Sequence, residues 1–293
     1  MNIESWKRFA DEYRRSTSAT IAAVLLGLLM LAALLSPLLS PQNPYDLAQV
    51  ELTDARLAPG APASDGQHTY WLGTDAQGRD MVSAILYGLR ISMFVGLSAT
   101  LLAVAIGVAA GLVAGYFGGR FDSLLMRVAD MQLSFPAILV ALILIAVLGQ
   151  GTGKVIAALV AAQWAYYART IRGVVLVERQ REYISAARVL ALPVTSILFR
   201  HLLPNCMPAL IVVGALQVAS AIALEATLSF LGVGLPITEP SLGLLIANGF
   251  TYLLSGKYWI SFFPGLALLA TIMSINLVAD HLRDVLNPRL RAD

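Results

Sequence analysis

No charged residue occurs between Ile91 and Gly119. A helix needs about 20 residues to cross the ~30 Å hydrocarbon core of a bilayer, so this run is long enough to span one. In lipid every backbone N–H and C=O must be paired within the chain, which leaves helices as the solution for a stretch of this kind. Apolar runs recur over 19–39, 91–116, 132–150, 155–173, 207–231 and 259–279. The chain therefore reads as an all-α polytopic membrane protein with six transmembrane helices. Its charged fraction of 13% agrees with that, because soluble domains carry about 25%.

Basic residues orient the spans. With the N-terminus in the cytoplasm, the inner segments hold Lys7, Arg8, Arg14 and Arg15, then Arg120 and Arg127. They also hold the cluster Arg169, Arg172, Arg179, Arg181, Arg188 and Arg200, and finally Arg283, Arg289 and Arg291. Five remain outside: Arg56, Arg79, Arg90, Lys154 and Lys257. This excess predicts both termini inside. The 20 basic and 18 acidic residues nearly cancel, so overall charge indicates no nucleic-acid partner. The first apolar run exceeds the 7–15 residues usual for a signal peptide, and Ser36-Pro37 stands where a small-x-small cleavage site belongs, which indicates an uncleaved anchor. A single cysteine, Cys206, allows no internal disulfide and reads as a buried or reduced thiol.

Residues 41–90 form the largest outside segment. Pro41, Asn43-Pro44, Pro59-Gly60 and Pro62 predict turns and irregular structure, followed by an interfacial helix that runs into the second span. Gly107, Gly111 and Gly115 lie four apart, on one helix face, where a second helix is expected to pack closely. Arg127 and Asp130 are three apart near the inner mouth of the third span and are positioned to pair. In the last outside loop, SLGLLIANGFTYLL predicts a short re-entrant or interfacial helix that does not cross. Glu225 is the one acid deep in a span, where a charge costs roughly 2.5–3.5 kcal/mol on insertion scales. Two readings fit it: a pathway or gate residue, or a carboxyl that fixes helix packing. Asp280 reads as an interfacial acid.

The sequence offers no catalytic chemistry. GQGTGK at 149–154 departs from the phosphate-loop pattern at Leu148 and Val155. His68, His201 and His281 are far apart, with no metal-ligand spacing, and no HExxH or GxSxG motif occurs. No catalytic residue and no metal ligand is expected. What remains is residues 178–205, ERQREYISAARVLALPVTSILFRHLLPN, too polar to lie in lipid. In a helix from Arg181 to Ala191, Tyr183, Ala186, Ala187 and Leu190 share a face. Glu182 suits its N-terminus, and Pro193 ends or redirects it. A docking knob for another protein and an amphipathic helix lying on lipid both fit.

The segment EYISAARVLALPVTSILFRHLLPN resembles the EAA loop of ATP-binding-cassette importer permeases. Ala186, Ala187 and Leu203-Pro204 match its pattern; Ser185 stands where Glu is frequent, Ala191 where Gly is usual and His201 where Ile is found. WLGTDAQGRDMVSAILYGLRIS, GYFGGRFDSLLMRVADMQLSFPAILVALIL, ALEATLSFLGVGLP and FPGLALLATIMSINLVADHLRDVLNPRL are similar to the C-type permease of dipeptide, oligopeptide and nickel importers. The resemblance implies a first helix preceding a five-helix type I importer core. Its segments are a cytoplasmic stretch 1–18, a first span 19–39, an extracytoplasmic loop 40–90, a core 91–281 with coupling loop 174–205, and a cytoplasmic tail 282–293. It also implies the bacterial cytoplasmic membrane and several partners: a homologous B-type permease, two ATP-binding subunits or domains, a substrate-binding protein and membrane lipid. No cofactor is expected in this chain, since the partners use ATP and Mg. Glu182, Tyr183, Ala186, Ala187, Arg188, Leu190 and Ala191 are the residues the resemblance assigns to ATPase coupling. Di- or oligopeptides are the implied cargo, with nickel, metallophores, opines or glutathione as alternatives within the family. A carrier or channel working alone is the alternative from another class.

Overall fold

The computed structural model describes Tyr13 and residues 16–46, 50–66 and 68–286. The basic residues at 7, 8, 14, 15, 289 and 291 lie outside the described residues, as does most of the expected cytoplasmic stretch 1–18 and of the tail 282–293.

Helix α1 (Thr17–Leu34) is apolar on every face, and Ser16 caps it by accepting the Ala19 N–H. Pro37 sits in the first turn of a short extra helix, Ser36–Leu39, where a missing N–H costs least. A small lobe follows, pinned by a two-stranded pairing of β1 (Ala61–Pro62) and β2 (Thr69–Tyr70). Helix α2 (Met81–Phe117) starts at the Asp80 cap and continues without a break into the charge-free run, about 55 Å in all. Gly118 ends it with a positive φ of 67°.

The third apolar run departs from expectation. It is not one continuous helix over 132–150: α3 (Gly119–Leu133) and α4 (Ala137–Leu148) meet at a bend of 92°. Pro136 is the cause. It cannot donate to the preceding turn, and its ring pushes Phe135 out of the helical region. The predicted Arg127–Asp130 pair also gives way. Asp130 instead faces Arg169 at 3.6 Å across an exposed gap.

Helix α5 (Thr152–Glu178) runs parallel to α2 along its whole charge-free length. A Cβ added at Gly107 would come within 2.5 Å of the Tyr167 Cβ, one at Gly111 within 2.5 Å of the Ala168 carbonyl oxygen, and one at Gly115 within 2.8 Å of the Val175 Cβ. The three glycines thus form the floor of a seam in which the backbones nearly touch. Among the described residues four helices are long and apolar enough to cross a membrane, or five with the bent α3–α4 pair counted as one span. Helix α5, which runs alongside α2, makes the described helices compatible with six spans. Its lower hydropathy follows from its position, because a helix shielded by protein on most sides needs less apolar surface than one facing lipid.

Helix α6 (Glu182–Val189) is short, and Pro193 redirects the chain after it. A wide-turned stretch over Ile197–Leu202 then leads into α7 (Leu203–Phe230). Helix α8 (Leu242–Phe250) is too short to cross. It wedges against α7 at Gly243, where a Cβ would meet Ala226 at 2.4 Å, and against α9 (Trp259–Leu286) at Gly249. Trp259 at the head of α9 donates its indole N–H to the Thr74 carbonyl at 3.2 Å, so the lobe, α8 and the start of α9 lie on one side of the bundle.

Candidate functional site

Helix α6 stands on the side of the bundle opposite the lobe. Ile184 and Ala187 are buried and join a cluster with Ile171 and Val175 of α5 and Leu202 and Cys206 at the head of α7. The side turned away from this anchor carries Ala186, Val189 and Leu190; Val189 is 86% exposed and Leu190 72%. Ala187 therefore does not share an outward face with Tyr183, Ala186 and Leu190. At 3% exposure it is a foot of the helix, turned into the bundle. Val189, which the face-sharing argument passed over, takes its place, because the outward stripe is centred one residue away from the predicted one.

The end of α6 holds its shape against local preference. Leu192 N–H bonds back to the Ala187 carbonyl at 3.1 Å and Ala191 N–H to Arg188 at 3.0 Å, the pairing of a Schellman motif. That motif places Ala191 in the left-handed region, at φ 52°. Glycine suits this position and alanine is strained there. Glu182 lies in the first turn, and the Tyr183 hydroxyl donates to Glu178 Oε2 at 2.6 Å. Burial and that acceptor push the Tyr183 hydroxyl up to about 12.

Polar links tie this corner to the ends of three helices. The Arg188 guanidinium lies 5.3 Å from the centre of the Tyr116 ring of α2. Arg179 donates to the Gly115 carbonyl at 2.8 Å. Arg172 of α5 holds Asp122 of α3 in a two-point pair, at 2.5 and 2.7 Å. The hydrogen bond from that guanidinium keeps the Asp122 carboxyl below the usual aspartate range.

Glu225 is fully buried in α7. Ser92 Oγ of α2 donates to its Oε2 at 2.9 Å, Ser229 Oγ to its Oε1 at 2.7 Å, and Ser241 is its third hydroxyl partner. Each serine oxygen also accepts a backbone N–H from the segment that follows α7. Ser92 takes Leu242 at 3.3 Å, Ser229 takes Leu235 at 3.4 Å, and Ser241 takes Leu244 at 3.3 Å. One carboxyl thus organises the whole crossing from α7 into α8. On the lobe side the stretch 71–80 is more ordered than its turn-rich composition suggests. Asp75 and Arg79 form a buried pair at 2.6 Å. Asp80 caps α2 through the Ser83 N–H at 2.8 Å while its own N–H donates to Gln42. Among the described residues no three His, Cys, Asp or Glu side chains gather as a metal cluster.

Comparison with known proteins decides what this arrangement belongs to. Residues 107–292 match the family described as binding-protein-dependent transport system inner membrane component. The chain belongs to that family. Residues 4–59 match the N-terminal transmembrane domain of oligopeptide transport permease C. The dipeptide transport system permease protein of Escherichia coli is 38% identical over 285 residues, covering 97% of this chain and 93% of that one. Its Bacillus subtilis counterpart is 37% identical, covering 98% and 86%. A di/tripeptide transport system permease protein of Pseudomonas aeruginosa is 33% identical, covering 97% and 92%. A chain of the MetNI methionine ABC transporter in an inward-facing conformation shares the fold, with a TM-score of 0.55 over 70% of this chain and 96% of that one at 16% identity. The protein is thus a multi-pass permease subunit of an ABC importer, with the type I permease fold.

Proposed function

We propose that this permease moves di- or oligopeptides inward across a bacterial cytoplasmic membrane, paired with a homologous B-type permease. Two ATP-hydrolysing partners, which bind the ATP and Mg, dock on the cytoplasmic side. A substrate-binding protein delivers cargo to the lobe side, and both termini lie in the cytoplasm. The observation that carries the reading is α6: a short helix that exposes Ala186, Val189 and Leu190 while its other face is keyed into three helix ends. Apolar side chains held in water on a braced helix fit a protein partner better than a lipid surface, because the brace converts a push on α6 into a tilt of α2 and α5. Tyr183 and Arg188 flank the contact, Glu182 and Ala191 set its two ends, and Ala187 supports it from behind. The α2–α5 seam makes those two helices move as one body. Glu225 acts as the gate latch, holding α8 at the lobe-side mouth of the path. The names of the three peptide-permease relatives support the cargo class.

Affinity purification of the tagged chain in mild detergent, with mass spectrometry of its partners and an ATPase assay, tests the assembly. Recovery of a second permease, ATPases and a binding protein that retains peptides supports it. A homo-oligomer without ATPase activity refutes the assembly, and a binding protein that retains a chelated metal instead of peptide refutes the cargo.

A further inference from the structure

At the lobe-side end of α1, a cleft of about 610 Å³ opens between that helix and α2. Met30 and Leu34 of α1 and Met93, Phe94 and Leu97 of α2 form its wall. Phe94 is 58% exposed and Leu34 73%, so this apolar surface is not covered by the described chain. At the rim stand Arg90, Tyr45 and Tyr87, with the two tyrosine rings edge to face at 5.1 Å.

The order of these groups along α2 is informative. Tyr87 and Arg90 come first, and Arg90 is the last charge before the run that is charge-free to Gly119. It therefore marks the height at which water gives way to hydrocarbon, the level where tyrosine and arginine gather in membrane proteins. Met93, Phe94 and Leu97 follow one to two turns deeper. Arg90 makes no hydrogen bond or ion pair among the described residues. A free cation at headgroup height above an apolar cleft matches a molecule with an anionic head and a hydrocarbon tail. Among the described residues no acid pairs with this guanidinium, and a lipid phosphate supplies an anion at that height.

We infer that the α1–α2 cleft binds one phospholipid, its phosphate on Arg90 and one acyl chain along Met30, Met93, Phe94 and Leu97. The site lies beside the lobe-side entrance and is independent of the cargo. Binding there would fasten α1 to the outer half of α2, the same α2 that carries the seam with α5.

The test uses the assembled transporter reconstituted in phosphatidylglycerol nanodiscs, with a photo-crosslinking amino acid in place of Phe94. A phospholipid adduct on this chain is the expected product. An adduct to a partner protein, or no adduct, overturns the inference. In parallel, phospholipid retained through detergent washing is measured for wild type, Arg90→Lys and Arg90→Gln. Retention is expected to fall several-fold in Arg90→Gln and to persist in Arg90→Lys, and equal retention in all three overturns the site.

Discussion

Ala191 is one of two described non-glycine residues, with Arg56, held at a positive φ. Its side chain occupies a left-handed backbone position at the end of α6, where an L-residue costs roughly 1–2 kcal/mol. Ala191→Gly is therefore expected to stabilise the purified protein by about 1 kcal/mol, read as a higher melting temperature. Ala187 behaves in the opposite way. Because it is buried against the core of the bundle, a bulky residue there would disrupt folding and could not serve as a probe of docking. Glu225 has a sharper signature. Glu225→Ala leaves three buried serine hydroxyls without their acceptor, at about 1–3 kcal/mol for a buried group that loses its partner. We expect a lower melting temperature together with loss of uptake, measured on the reconstituted transporter; an unchanged melt and unchanged uptake would remove the latch role.

Among the elements, α6 offers the most direct functional test. Leu190→Asp puts a charge into the exposed apolar stripe without touching the buried foot. Transport-coupled ATPase is expected to drop at least tenfold while the thermal melt stays within about 1 °C, since exposed substitutions away from special features are usually near neutral. Normal coupling would show that partners do not grip this face. Much of this element was legible beforehand: its position, its length to within two residues at either end, the breaking proline and the small-residue character of its outer side. The phase of its face was not legible. Helical spacing groups residues 183, 186, 187 and 190, but which edge of that stripe turns inward depends on where α5 and the head of α7 stand, and that is tertiary information. The same limit explains the third span. The bend set by Pro136 leaves α3 where Asp122 meets Arg172, a contact fifty residues away in sequence. The glycine spacing of α2 was readable as a close-packing face, whereas its partner and the parallel direction were not. The serine shell of Glu225 was invisible in the sequence because its members come from three separate segments.

For the whole molecule, sidedness and acid response are the measurable properties. Cys206 is the only cysteine and is buried, so a single introduced cysteine reports cleanly. With Trp71→Cys, at a position 75% exposed in the lobe, labelling by an impermeant maleimide is expected in intact cells. With Leu190→Cys it is expected only after the membrane is opened. The reverse pattern would invert the orientation. Acid response follows from Asp122, whose pKa is lowered by Arg172. A carboxyl with a depressed folded-state pKa stabilises the fold above its unfolded value, about 3.9, and that stabilisation is lost as pH falls through the lower folded value. The difference in melting temperature between wild type and Asp122→Asn should therefore stay constant from neutral pH to about 5 and close toward pH 3 and below. The bend between α3 and α4 also bears on biogenesis. At 12 residues, α4 extends only about 18 Å, short of a ~30 Å hydrocarbon core, and it is followed at once by the least apolar of the crossing helices. Neither would be held in the membrane well alone. With only the turn at Gly149–Gly151 between them, the two are best inserted as a helical hairpin, delivered together to an α2 that is already in place. An assembly line of this kind makes the polypeptide depend on the order of synthesis, and a chain interrupted between Leu148 and Thr152 should fail to build a bundle that the intact chain builds readily.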